Sequence, residues 1–286
     1  ALLAALAATT SAHTEVKTWT IGGQTYAGFR DEYKTDPGNG SPAWLTNQGW
    51  GHTPIYGSAM NSEDIICHEQ AVSSKHSAPA AAGSSVSMEW YHIGAPKGAC
   101  PKENQDEEGW DCSHHGFTAT YMAPCYGPCA DVDKTSLKFF KISEKGLIDF
   151  EGRYKETGRW GTDVTMYENG NVNTVTIPGN IPSGEYVFRT EVWSFHNSGD
   201  GNVAEAQAWP QCANIKVTGG DDSAGMPEGK PAMKLYSPKD PMMMYNIYLA
   251  GHATEVPVPG PPMFNAGSGN TKARRAHRSH SRAFSS

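Results

Sequence analysis

The chain has 286 residues, a formal net charge of −7 and 19% charged residues, with 31 Gly, 19 Pro, 8 Trp, 12 Tyr and 9 Phe. It is long enough to bury its own core, and its wealth of turn formers and aromatics favours short strands and loops over a helical bundle. No apolar run approaches the ~20 residues of a membrane span, and an acidic body argues against nucleic acid as a partner.

Residues 1–12, ALLAALAATTSA, read as the end of a secretory signal peptide, an apolar run closing on small residues. A cut after Ala12 places Thr10 and Ala12 in the two small-residue positions and makes His13 the first residue of the mature protein. An N-terminal histidine offers its α-amine and its ring to one metal ion, whereas an internal histidine offers only the ring. A cut after Ala7 or Ala8 is the alternative, and it leaves His13 ordinary. Export also puts the 6 Cys in an oxidising compartment, where disulfides are expected. Six cysteines allow about 15 pairings.

Beyond His13 the pattern is β-like up to about Gly219. His13–Ile21 alternates and closes on Gly22-Gly23; Ser85–Trp90 and Thr118–Met122 alternate as well. Glu185–Trp193 is the clearest strand, led in by Pro182-Ser183-Gly184, and Ala213–Gly219 follows as another. These features predict an all-β fold, an immunoglobulin/fibronectin-like antiparallel β-sandwich with long loops. Ala95–Cys112 is polar and irregular, a long loop, and residues 220–262 read as an extended arm lying along the domain. Residues 271–286 hold Lys272, Arg274, Arg275, Arg278 and Arg282 with no acid, so the rest of the chain carries about −12. The expected organisation is a signal remnant over 1–12, a β-sandwich over 13–264 and a disordered basic tail over 265–286.

Ser113-His114-His115-Gly116 ends the long loop just before a strand, where a ring can be presented at the domain surface. A solvent-exposed pair with no role is the plainer reading. Copper(II) favours a tetragonal field of nitrogen and oxygen. His13 with one of these two histidines would give three nitrogens and leave a position open for oxygen chemistry. His196, after Trp193-Ser194-Phe195, and Gln207, before Ala208-Trp209-Pro210, would meet on adjacent antiparallel strands. Near a metal such a pair can hold an oxygen species and supply a proton; otherwise His196 is a hydrogen-bonded histidine in a strand-end turn.

The motifs and their order resemble those of the fungal, cellulose-active lytic polysaccharide monooxygenases of auxiliary activity family 9, formerly glycoside hydrolase family 61. The resemblance rests on His13, Asn61–Cys67, Glu89-Trp90-Tyr91-His92, Ser113–Phe117, Tyr121–Cys125 with Cys129, Pro182–Tyr186 with Arg189 and Glu191, then His196, Gln207 and Pro210-Gln211-Cys212. Asp240-Pro241, Asn246-Ile247-Tyr248 and Pro259-Gly260-Pro261 resemble the family's C-terminal arm. The resemblance implies a copper-dependent enzyme, one ion per chain, held by His13 and by His114 rather than His115. His196 and Gln207 would position oxygen. It also implies the disulfides Cys67–Cys212 and Cys125–Cys129, which leaves Cys100 and Cys112 to pair and close the long loop.

The implied protein is a secreted, extracellular monomer. Its implied partners are an insoluble or soluble β-glucan, an external electron donor, and O2 or H2O2. It would cleave cellulose or a related glucan at C1 and/or C4. Three departures mark a divergent member, and one is Phe117 where the family has proline after the histidine loop. Trp209 stands where the family has an axial tyrosine, and it can shield that face without coordinating. Val256 stands near the family's sugar-stacking tyrosine, for which Tyr26, Tyr33, Trp44, Trp50, Tyr236 or Tyr248 would have to substitute. These departures keep open a non-catalytic copper- or polysaccharide-binding protein on the same fold, while a plain immunoglobulin-like adhesion module has no use for an N-terminal histidine. Hydrolysis by a carboxylate pair is disfavoured, because nothing places two of Asp64, Glu89 and Glu191 across a cleft.

Overall fold

The computed structural model describes residues 13–29, 40–46, 53–93, 110–198, 201–249 and 256–264, and of His13 the backbone. The signal remnant, the basic tail, Cys100, Tyr33 and Trp50 lie outside the described residues. In chain order the strands are β1 (His13–Ile21), β2 (Gln24–Ala27), β3 (Ile55–Tyr56), β4 (Ala78–Ala81), β5 (Ser85–Ile93) and β6 (Thr118–Pro124). They continue with β7 (Lys138–Lys145), β8 (Leu147–Asp149), β9 (Arg159–Trp160), β10 (Val172–Thr176), β11 (Gly184–Ser194), β12 (Gln207–Thr218) and β13 (Lys230–Pro231). Among the described residues no helix is long and apolar enough to cross a membrane.

A small sheet, ordered β10-β5-β1-β2, faces a large one, ordered β13-β7-β6-β11-β12-β3. This is the predicted β-sandwich. The pairing is antiparallel throughout both sheets except at one edge, where β4 joins β12 in parallel. Val16, Trp19, Val86, Met88 and Trp90 of the small sheet pack between the sheets against Met122, Phe188, Val192, Trp209 and Ile215 of the large one. The opposite face of the large sheet is covered too. There Tyr121, Val187, Trp193 and Cys212 meet the helical turn α1 (Asp64–Cys67) and arm residues Tyr236, Met242, Met243 and Ile247.

The large sheet is therefore a middle layer. Its side chains still alternate in direction, but both directions are dry, so β6 and most of β12 are buried residue after residue. The arm is only partly extended. It pairs as β13 with β7, turns once over Ala232–Lys234 and plugs Met242 and Met243 into the outer face. Asn61 ties it down, donating from its amide to the carbonyls of Met233 and Tyr236.

The alternation read over His13–Ile21 breaks once. The β1–β5 register slips between Val16 and Thr18, so Val16 and Trp19 both point inward around a bulge at Lys17. Gly28 closes onto this bulge, donating its N–H to Lys17 O; a Cβ there would sit 1.7 Å from Val16 O, so only glycine fits. Cys67 bonds Cys212, tying α1 to β12, and Cys125 bonds Cys129 within one turn. The Cys100–Cys112 pairing falls on an undescribed residue.

Candidate functional site

One end of the sandwich gathers the histidines. β5 brings His92 there, beside the start of β1 through the pairs Thr14–His92 and His13–Ile93. β11 ends opposite the start of β12, with Ser194 paired to Gln207, and β3 adds Tyr56 across from Gln207. His196 thus lies two residues past the end of β11, beside the strand end that carries Gln207. Gln207 and Trp209 are two residues apart on β12 and share one side of the strand.

The Asp111–Gly116 segment is fixed by its own hydrogen bonds. Asp111 Oδ1 accepts from Ser113 N at 2.9 Å and from Ser113 Oγ at 2.8 Å, and its carbonyl accepts from His114 N at 2.9 Å. The segment then zips onto β11: Phe195 N donates to His115 O and Trp193 N to Phe117 O, each at 2.9 Å. Gly116 permits this approach, because a Cβ there would lie 2.0 Å from Trp193 O.

The two adjacent histidines end in opposite environments. His115 is satisfied on both nitrogens: Nδ1 lies 3.0 Å from both Asp163 oxygens, and Nε2 lies 3.2 Å from Thr157 Oγ1. His114 Nδ1 lies 3.2 Å from Ser113 Oγ and 3.8 Å from Asp111 Oδ1, while its Nε2 is buried with no hydrogen-bond partner among the described residues. A buried polar nitrogen left open in this way is what a metal ligand looks like without its ion.

His114 is 1% exposed, so the loop does not present it at the surface as expected for a loop–strand junction. The reason is the clamp onto β11, which turns the ring inward. It stacks on His196 with centroids 3.6 Å apart, and it meets Trp110 at 5.3 Å and Trp209 at 6.2 Å. Trp110 is the hub of the group: its ring also contacts His92 at 5.3 Å and Trp209 at 5.4 Å, and its indole N–H donates to His114 O. The sequence reading overlooked Trp110, although it stands four residues before the histidine whose carbonyl it binds.

Burial sets the charge state of the group. It lowers His196 to about 3, with repulsion from His114 adding to the shift. It lowers His92 to about 4 against the opposing hydrogen bond from Asn171, and it lowers His114 against the pull of Asp111. Burial alone would raise the Asp111 carboxyl, but the His114 ring and the Ser113 donors hold it well below the usual carboxylate range. The three imidazoles are thus neutral near pH 7, the form that binds metal. His196 Nδ1 lies 2.7 Å from Ser194 Oγ, and Gln207 is buried at the head of its strand.

Among the aromatics considered for sugar stacking, Tyr26, Trp44 and Tyr236 are buried. Tyr236 donates to Glu191 in the outer core. Tyr248 is 55% exposed and close enough to Asp111 for that charge to raise its hydroxyl further, after burial. Tyr56, missed in a two-residue strand, is 45% exposed beside Gln207. The carboxylates are committed elsewhere: Glu191 to Arg189, Glu89 to Lys17 and Thr18, and Asp64 to the N–H of Gln70.

The fold and this cluster define a β-sandwich with an aromatic-walled histidine site at one end. The chain belongs to Auxiliary Activity family 9 (formerly GH61), whose family model matches residues 13–255. It is 38% identical over 274 residues to the AA9 family lytic polysaccharide monooxygenase E of Aspergillus tamarii, covering 92% of this chain and 96% of that one. It is 41% identical over 214 residues to monooxygenase B of Aspergillus fumigatus, covering 74% of each. Among solved structures, the extended catalytic domain of H. jecorina LPMO9A superposes with a TM-score of 0.72 at 31% identity, covering 90% of this chain and 92% of that one.

Proposed function

We propose that the protein is a secreted, copper-dependent lytic polysaccharide monooxygenase that cleaves a β-linked polysaccharide, cellulose or a related glucan, at C1 and/or C4. Family membership supports the reaction class, and the disulfides suit an exported protein. The observation that carries the metal assignment is the open, buried Nε2 of His114 beside a His115 whose nitrogens are both engaged.

The donor set fits copper. His13, through its α-amine and ring, and His114, through Nε2, would hold one ion with three nitrogens. Bound copper, reduced by an external donor, would supply the redox chemistry that activates O2 or H2O2 for hydrogen abstraction from the sugar. The α-amine has an ordinary pKa of about 7.7–8.0, so the proton competes with the metal near neutrality. Ser113 and Asp111 hold the His114 ring from its Nδ1 side. With His196 Nδ1 engaged by Ser194, its Nε2 is the nitrogen that can hold or pass a proton. Gln207 would orient the oxygen substrate by hydrogen bonding. Trp209 and Trp110 would exclude water from the inner side of the site, and the Trp209 indole offers no oxygen donor to a bound ion. Exposed Tyr56 and Tyr248 would stack on the polysaccharide.

The test is copper titration of the secreted full chain, followed by incubation with ascorbate and a panel of β-glucans and mass spectrometry of the products. One ion per chain and oxidised oligosaccharides are expected. The closed surroundings of His114 favour one rival, a non-catalytic copper-binding protein on this fold. Stoichiometric copper with no oxidised product would establish that rival and end the enzymatic reading.

A further inference from the structure

Behind His115, away from its neighbour His114, lies a cavity of about 160 Å³ lined by Arg153, Tyr154, Thr157, Tyr167, Cys112 and the His115–Asp163 pair. Its wall carries an arginine that ion-pairs with no carboxylate among the described residues, although the Asp163 charge acts on it. The other described arginines each have such a partner: Arg159 pairs with Asp149 and Glu168, and Arg189 with Glu191. The described partners of Arg153 are aromatic. Its guanidinium donates to the Tyr154 hydroxyl and lies 4.7 Å from the Tyr154 ring centre and 5.4 Å from that of Tyr167. Asp163 shares the cavity, but its oxygens are committed to His115 and to the N–H of Trp160 at 2.8 Å.

A guanidinium held over aromatic faces is pre-organised, and its remaining N–H groups form a fork that matches a carboxylate. The tyrosine faces offer stacking to a flat or puckered ring. Thr157 Oγ1, already 3.2 Å from His115 Nε2, keeps acceptor capacity for a ligand hydroxyl at the polar end. A void of roughly 150 Å³ takes a benzene-sized ring, so the space suits one six-membered ring and not an oligomer.

We propose that this cavity is a binding site for a single six-membered ring bearing a carboxylate, with Arg153 as its anchor. A hexuronic acid unit and a hydroxybenzoic acid both present this chemistry. The cavity adjoins the histidine cluster through Tyr167, whose hydroxyl donates to Trp110 O at 2.6 Å. The proposal needs no copper, so it stands or falls apart from the proposed reaction.

The experiment is calorimetric titration of the full chain, copper-free and copper-loaded, with glucuronate, 4-hydroxybenzoate and two neutral controls, glucose and methyl 4-hydroxybenzoate. At least one acid should bind in both metal states, the better one naming the source, while its neutral counterpart does not. Arg153→Gln should weaken it about tenfold or more, as expected for a lost charged hydrogen-bond pair. Arg153→Lys, which keeps the charge and loses the fork, should fall between. Arg153 is exposed, and thermal melting checks that both variants fold. The proposal is overturned if neither acid binds below about 10 mM, if Arg153→Gln binds as well as wild type, if the neutral controls bind equally, or if binding needs copper.

Discussion

His114 and His196 lie ring on ring, centroids 3.6 Å apart and planes within 25° of parallel. The first is delivered by a loop clamped to β11 and the second by the end of β11 itself, so one strand fixes their spacing. Two imidazolium ions could not share this space, since like charges so close in a dry setting repel strongly. Burial keeps both rings neutral near pH 7, and for His196 repulsion from His114 adds to it. Of the pair, His114 keeps an open nitrogen among the described residues and His196 keeps a hydroxyl partner, which supports the proposed split into a copper ligand and a proton-handling neighbour.

Removing the open nitrogen should remove the metal. His114→Ala is expected to weaken copper binding by roughly a hundredfold or more, since a lost supporting partner alone costs 10–100-fold. Calorimetric titration with Cu(II) reads this directly. Unchanged affinity would sink the assignment of His114 as a ligand.

The neighbouring substitution should do the reverse. His115→Ala takes a donor from the buried Asp163 carboxylate, leaving it the Trp160 N–H, which costs roughly 1–3 kcal/mol for a buried acceptor left under-satisfied. Urea unfolding should report that loss while copper affinity stays near wild type. A stable His115→Ala protein that fails to bind copper would reverse the two roles.

His92 makes the copper-free fold sensitive to acid. Its pKa falls from 6.5 to about 4 on folding, so between these values the unfolded chain binds more protons than the folded one. Its contribution is fully present above pH 6.5 and is lost as pH drops toward 4, at about 1.4 kcal/mol per pH unit for one proton. His92→Asn should flatten the urea-denaturation profile across this window by about that slope. An unaltered profile would show that His92 titrates normally in the fold.

The strands over His13–Ile21, Glu185–Trp193 and Ala213–Thr218 were legible because period-2 alternation and Gly or Pro turns are local signals. β7 and β10 were not singled out. Nothing local revealed that the large sheet is buried on both faces, because the cover comes from α1 and an arm distant in sequence. Only the resemblance preferred His114 to His115, since sequence does not show that Asp163 occupies one ring. Only the resemblance placed Trp209 in the group, and Trp110 and Tyr56 needed three dimensions: one works through ring contacts and the other from a strand too short to read.

Trp209 is fully buried between Trp110 and His114, on the inter-sheet face. Trp209→Tyr would shrink the ring, leave a void and bury a hydroxyl, costing roughly 1–3 kcal/mol. It would also place a phenol oxygen near the His114 ring, where the copper is proposed to be held. The Cu(II) paramagnetic resonance spectrum should shift if that oxygen reaches the metal's surroundings. A spectrum identical to wild type would place the copper away from Trp209.

Substitution of Gln207 is expected to separate copper binding from turnover. It begins β12 opposite Ser194 and Tyr56, is buried, and lies two residues from Trp209 on the same side of the strand. The nitrogens proposed to hold copper come from other elements, so Gln207→Ala should leave copper affinity within about threefold of wild type. If its amide orients the oxygen substrate, losing that hydrogen bond in the transition state should lower kcat by at least about tenfold while the KM for glucan holds. A purely structural role would lower the melting temperature in proportion to the lost activity, so melting is measured on the same sample. Gln207→Glu, which keeps one acceptor but adds charge to a buried site, should not restore the rate. Wild-type turnover in Gln207→Ala, or a copper loss as large as that of His114→Ala, would remove Gln207 from the proposed oxygen-positioning role.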